Sequence, residues 1–126
     1  MEVVILKDPQ AASQAAGDLV ASLIRNKPAA VLGLATGSTP VGLYRELVAR
    51  HKAGEIDFSK VSTFNLDEYA GLQPEHDQSY YRFMQENLFF HINIPARQTH
   101  IPDGLADDIP AHCDQDERDI KAAGGV

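Results

Sequence analysis

The segment Thr36-Gly37-Ser38-Thr39-Pro40 places three hydroxyl side chains around one glycine, where the apolar run Ala30 to Leu34 gives way to a helical pattern. Such a turn suits a phosphate. Gly37 lets backbone approach an anion closely, and the first N–H groups of a helix have no partners within it. The helix dipole adds partial positive charge, and Thr36, Ser38 and Thr39 can each donate a hydrogen bond. Two other phosphate motifs are absent: there is neither G-x-x-x-x-G-K-[ST] nor G-x-G-x-x-G, so no nucleotide cofactor is expected. The alternative is a tight strand-to-helix turn in which Thr39 merely caps. The turn carries no cation of its own, and Arg45 lies more than a helical turn beyond it.

A second group, Asn65-Leu66-Asp67-Glu68-Tyr69, follows another apolar run, Val61 to Asn65. Acids at a strand's carboxyl end share a rim with the hydroxyl turn, because ligands of open α/β sheets bind along that rim. One acid is expected to face the site and the other a structural partner. A carboxylate sheltered between Leu66 and a site wall would be partly desolvated, which suits a general base. A plain solvated turn is the alternative, as is a hard-cation site with His76 or Asp77, although no metal-ligand spacing is present and no metal is expected. None of the five histidines is placed by sequence as a catalytic partner, and Cys113 reads as a small packed residue on a helix.

The elements that must carry these groups alternate. Glu2 to Leu6 reads as a first strand. Asp8 then caps a helix over about 9–26, with Pro9 at its first position and a continuous apolar stripe from Ala11/Ala12 to Leu23/Ile24. Ala30 to Leu34 lacks alternation, as expected of a parallel strand covered on both faces. Thr39 and Pro40 repeat the cap signature for a helix that Gly54 closes. Val61 to Asn65 is rich in β-branched and aromatic residues and reads as a third strand. A polar loop over 66–77 leads to a helix over 78–90, a short extended piece from Gln98 to Ile101, and a last helix over 108–122. This pattern predicts one Rossmann-like α/β domain: a parallel sheet with helices on both faces. The tail Gly124-Gly125-Val126 resembles a helix end followed by the start of another strand, so the expectation is a chain truncated after its first half.

The chain's 126 residues can bury a core, and a net charge of −7 argues against nucleic acid or an anionic membrane as partner. A single cysteine allows no internal disulfide, which points to the cytoplasm.

Together, the turn Leu34 to Pro40, His51-Lys52-Ala53-Gly54, Thr63 to Tyr69 with Gly71-Leu72, Ser79-Tyr80-Tyr81, Phe83-Met84, Ile94-Pro95 and Asp103-Gly104 resemble the glucosamine-6-phosphate deaminase family. The resemblance covers nearly the whole chain. It implies conversion of glucosamine 6-phosphate and water to fructose 6-phosphate and ammonia. Asp67 is implied as the base that takes the C2 proton, with Thr36, Gly37, Ser38, Thr39 and Glu68 binding the phosphorylated amino sugar. A homo-oligomer, often a hexamer with an allosteric N-acetylglucosamine 6-phosphate site, is implied for the complete protein. The family's second signature, Asn-Asp-Gly-His-Ile-Ala-Phe-Asn-Glu-Pro, whose acids and histidine open the sugar ring, is absent, as are the basic residues that complete the phosphate site. The fragment alone is therefore expected to be inactive. Two alternatives are kept: a 6-phosphogluconolactonase-like hydrolase, although lactonases tend to carry Asp-Glu-Arg where this chain has Asp67-Glu68-Tyr69, and a non-catalytic sugar-phosphate sensor.

Overall fold

Three short parallel strands and four helices make up the structure, a computed structural model that describes residues 2–126. In chain order they are α1 (Pro9–Asn26), β1 (Val31–Leu34), α2 (Val41–Lys52), β2 (Ser62–Asn65), α3 (Tyr80–Asn87), β3 (Thr99–His100) and α4 (Ile109–Ala122), with single 3₁₀ turns at Phe89–His91 and Ala96–Gln98. The strands lie in the order β1-β2-β3. Each crossover carries one helix, so the βαβ units expected from the alternation are present.

The caps explain most of the boundaries. Asp8 accepts the Ala11 N–H at 2.7 Å and opens α1 ahead of Pro9. Asp108 does the same for α4 through Ala111, at 2.9 Å. At α2 the expected cap fails: Pro40 occupies the cap position with helical dihedrals, and no side chain bonds there. Tyr44 N–H instead reaches the Pro40 carbonyl, so the helix starts one residue late and the Thr39 hydroxyl is left to the turn.

The core is built from Ala21 and Ile24 of α1, Leu32 and Leu34 of β1, Tyr44 and Leu47 of α2, Phe58, Val61, and Met84, Leu88 and Phe89 at the end of α3. Each lies at or below a tenth of its possible exposure. Helix α1 packs on α2, joined at the rim of that contact by Arg50 and Asp18 at 2.7 Å.

Three further sequence expectations do not hold. Glu2 to Leu6 is not a strand, and it is exposed, Ile5 by 92 %. Its β-branched residues favour extended backbone, but a strand needs a neighbour for its N–H and C=O groups, and none of the described strands lies beside it. Strand β1 is also not covered evenly. Leu32 and Leu34 are buried, whereas Gly33 is on the other face, near Val126 and a cavity of about 530 Å³ walled by α4. Helix α4 buries no residue, and Cys113 on it is exposed rather than packed.

Candidate functional site

Both sequence-predicted groups fall at the carboxyl ends of adjacent strands. The hydroxyl turn leaves β1 at Leu34 and the acidic loop leaves β2 at Asn65, and these two residues are paired in the register. Asn65 also ties the strand ends by its side chain: its amide donates to the Leu34 carbonyl at 3.0 Å, in a buried position. The separation of the two loops is thereby fixed at their roots.

The turn has the conformation its sequence demands. Gly37 sits at φ +91°, a backbone region that a Cβ makes costly. Tyr44, one turn into α2 and buried, donates its hydroxyl to the carbonyl of Ala35 and pins the start of the turn to the core. Burial pushes the Tyr44 phenol up to about 12, against the lowering effect of that bond. Thr36, Ser38 and Thr39 line a groove of about 900 Å³ shared with the first turn of α1. Arg45 lines it as well, and has no ion pair among the described residues. Sequence spacing set this cation aside as too distant; the approach of α1 to α2 makes it part of the groove wall.

The acidic loop divides its two carboxylates. Glu68 turns to the N-terminus of α3. Its Oε1 accepts the N–H groups of Tyr69 at 2.9 Å and Tyr80 at 3.0 Å, and its Oε2 that of Tyr81 at 2.9 Å. Ser79, the buried N-cap, takes the next N–H, from Arg82, at 3.0 Å. The first N–H groups of α3 are thus all satisfied, and Glu68, expected to bind substrate, has both oxygens engaged by the helix. Asp67 is exposed and lines the 530 Å³ cavity. The shelter expected from Leu66 is missing, because that side chain projects past the end of β2 and is 84 % exposed. The loop backbone is held from outside by Gly104. A Cβ there would lie 2.2 Å from the Tyr69 carbonyl oxygen, and the Gly104 carbonyl accepts the Gly71 N–H at 2.6 Å.

Groove and cavity are separate hollows, and the sequence offered Tyr80 only within the Ser79-Tyr80-Tyr81 motif, with no site role. Tyr80, the first residue of α3, has its hydroxyl 3.1 Å from that of Tyr69, the rings being 4.9 Å apart. Its phenol is held above its ordinary value, chiefly by that hydrogen bond; burial and the nearby charges of Tyr69 and Asp67 add to this, and a hydrogen bond with Thr36 opposes it. Thr36 of the turn and Asp67 of the loop both act on this phenol.

The remaining candidates have other partners. Asp77 pairs with Arg82, and His76 Nδ1 accepts the Gln78 N–H at 3.1 Å, so neither joins Asp67. Among the described residues no three His, Cys, Asp or Glu side chains are grouped to hold a metal. His51 bonds to the Ile56 carbonyl, His91 to that of Glu86, and His112 to the Asp103 N–H, while His100 stacks on Phe64 at 4.3 Å. No described helix is long and apolar enough to cross a membrane.

Comparison with known proteins agrees with this geometry. A model of the family described as glucosamine-6-phosphate isomerases/6-phosphogluconolactonase matches residues 7–125. Glucosamine-6-phosphate deaminases of Halothermothrix orenii and of Thermoanaerobacter sp. (strain X514) are 53 % and 51 % identical over the whole chain, which covers 52 % and 50 % of their lengths. The chain thus spans about half the length of these relatives. A solved structure of a monomeric glucosamine-6-phosphate deaminase superposes with a TM-score of 0.96 at 40 % identity, over 100 % of this chain and 52 % of that one. The 6-phosphogluconolactonase of Thermotoga maritima gives 0.78 at 25 % identity, over 95 % and 53 %.

Proposed function

Because the chain belongs to the family of glucosamine-6-phosphate isomerases and 6-phosphogluconolactonases, we propose that it supplies the phosphate anchor and the proton-transfer base of a glucosamine-6-phosphate deaminase. Asp67 takes the C2 proton from the ring-opened sugar and returns it to C1. The C2 amine becomes an imine, and water hydrolyses it to fructose 6-phosphate and ammonia. One carboxylate serves both transfers, as accepting and returning a proton at neighbouring carbons requires. The turn from Thr36 to Thr39 takes the 6-phosphate through backbone N–H groups and hydroxyls, with Arg45 the cation within the same groove.

One observation carries this reading above all: the hydroxyl turn and the acidic loop leave adjacent parallel strands at register partners, Leu34 and Asn65, on one rim of the sheet. Anchor and base therefore start from neighbouring strand ends, where the two ends of one phosphorylated sugar can reach them. The higher identity to deaminases than to the lactonase favours deamination over lactone hydrolysis. A cytoplasmic setting and a homo-oligomer belong to the same proposal, although one solved relative is described as monomeric.

The test uses a polypeptide that carries residues 1–126 and extends to the relatives' full length. It is expected to release ammonia from glucosamine 6-phosphate, and Asp67→Asn is expected to lower kcat by about 10²- to 10⁴-fold while ligand binding persists. Hydrolysis of 6-phosphogluconolactone without deamination would support the lactonase instead. Unchanged deaminase turnover in the Asn variant would remove Asp67 from the chemistry.

A further inference from the structure

The carboxylate of Glu68 receives three backbone N–H groups, two of them from the first turn of α3. It is half-buried, and it reaches twelve residues along the sequence to do so. A helix cap does not need this partner, because Ser79 already supplies one. What Glu68 adds is a link between the acidic loop and the residue that begins the helix, Tyr80. The same carboxylate holds the Tyr69 N–H, so one side chain sets the backbone of both tyrosines whose hydroxyls meet at 3.1 Å.

Each of those hydroxyls can both donate to and accept from a sugar hydroxyl. Tyr69 is half exposed, so part of its side chain is accessible to a ligand. Neither phenol lines the groove of the turn from Thr36 to Thr39. Tyr69 is two residues from Asp67, so the pair lies on the acid-loop side of the rim, where the carbon chain of a phosphorylated sugar anchored at the turn would extend.

We propose that Glu68 is a positioning residue: by clamping the N–H groups of Tyr69, Tyr80 and Tyr81 it fixes a pair of tyrosine hydroxyls that recognises the hydroxyl-bearing carbon chain of the bound sugar phosphate, separately from the phosphate itself. This rests on the sugar-phosphate reading above and assigns Glu68 a role through the tyrosines in place of direct substrate contact. Exchanging Glu68 for Gln keeps the size and one acceptor oxygen but turns the other acceptor into a donor facing an N–H.

Calorimetric titration of the 126-residue chain and its variants tests the inference, with inorganic phosphate and glucosamine 6-phosphate as separate probes. In Glu68→Gln the affinity for phosphate should stay within about twofold, and that for glucosamine 6-phosphate should fall about tenfold. Tyr80→Phe leaves the backbone clamp intact and should show the same split, so the test stands even where Glu68→Gln does not fold. An equal loss for both probes would reduce Glu68 to a general support of the fold, and no loss for either would remove it from recognition; each overturns the proposal. A parent chain that binds phosphate but gains nothing from the sugar would contradict the sugar-phosphate reading itself, an outcome visible before any variant is made.

Discussion

The two loops on the carboxyl rim of the sheet do related work by different construction. The hydroxyl turn after β1 is almost self-contained. Its shape comes from one glycine at positive φ and from helix-start N–H groups that its own sequence provides, with Tyr44 as the single brace from below. The acidic loop after β2 has little shape of its own. It is held by Glu68 bonded to α3 and by Gly104, thirty-odd residues on, pressed against the Tyr69 carbonyl. An anion cradle of backbone groups can be encoded locally, whereas aiming a carboxylate takes contacts from elements distant in sequence.

This contrast sets the order in which substitutions should act. The largest structural effect is expected at the acidic loop's outer support. Gly104→Val places side-chain atoms where the Tyr69 carbonyl lies and should destabilise the chain by about 1–3 kcal/mol in urea unfolding. It should also disturb Asp67 and Tyr69 while leaving phosphate binding at the turn in place. If phosphate binding fell equally, the two loops would not be independently built.

Tyr44→Phe attacks the turn's one brace. It leaves the Ala35 carbonyl without its partner, and a cost of about 1–2 kcal/mol is expected from the same unfolding measurement. Its pH dependence sharpens the point. The folded-state pKa of Tyr44 is raised to about 12 from 10.0, so the folded chain holds this proton more tightly than the unfolded one. The resulting stability is complete below pH 10 and is lost as pH rises from 10 towards 12. Parent and Tyr44→Phe should therefore converge in stability over that window. A constant difference across it would mean that the phenol is not buried as described.

A smaller effect is expected at Gly37. Alanine there meets no atom within 4 Å, so the cost is the backbone strain of φ +91° alone, about 1 kcal/mol. Phosphate affinity should drop, with the acidic loop's signals unchanged.

How far the sequence revealed all this follows from the same contrast. The turn was legible because Gly37 and its hydroxyls are contiguous, and the cap at Asp8 because its partner is three residues away. The parallel βαβ arrangement was legible from alternation. Tyr80 was legible only as part of the Ser79-Tyr80-Tyr81 motif, since the pairing of its hydroxyl with Tyr69 depends on where α3 docks. Arg45 was set aside because spacing along one helix ignores the groove made when α1 packs against α2. The strand expected at Glu2 to Leu6 failed for the converse reason: residues that favour extended backbone were present, but a neighbouring strand was not. The division of labour between two adjacent acids was expected in kind, but which acid serves the structure could be decided only from the N–H groups around Glu68.

Amide chemical-shift mapping of the 126-residue chain with glucosamine 6-phosphate tests most directly whether turn and loop form one site. The account predicts that Gly37, Ser38, Thr39, Asp67, Tyr69 and Tyr80 respond together, along one saturation curve, while inorganic phosphate moves only the first three. Shifts confined to one of the two loops, or following two different curves, would contradict it.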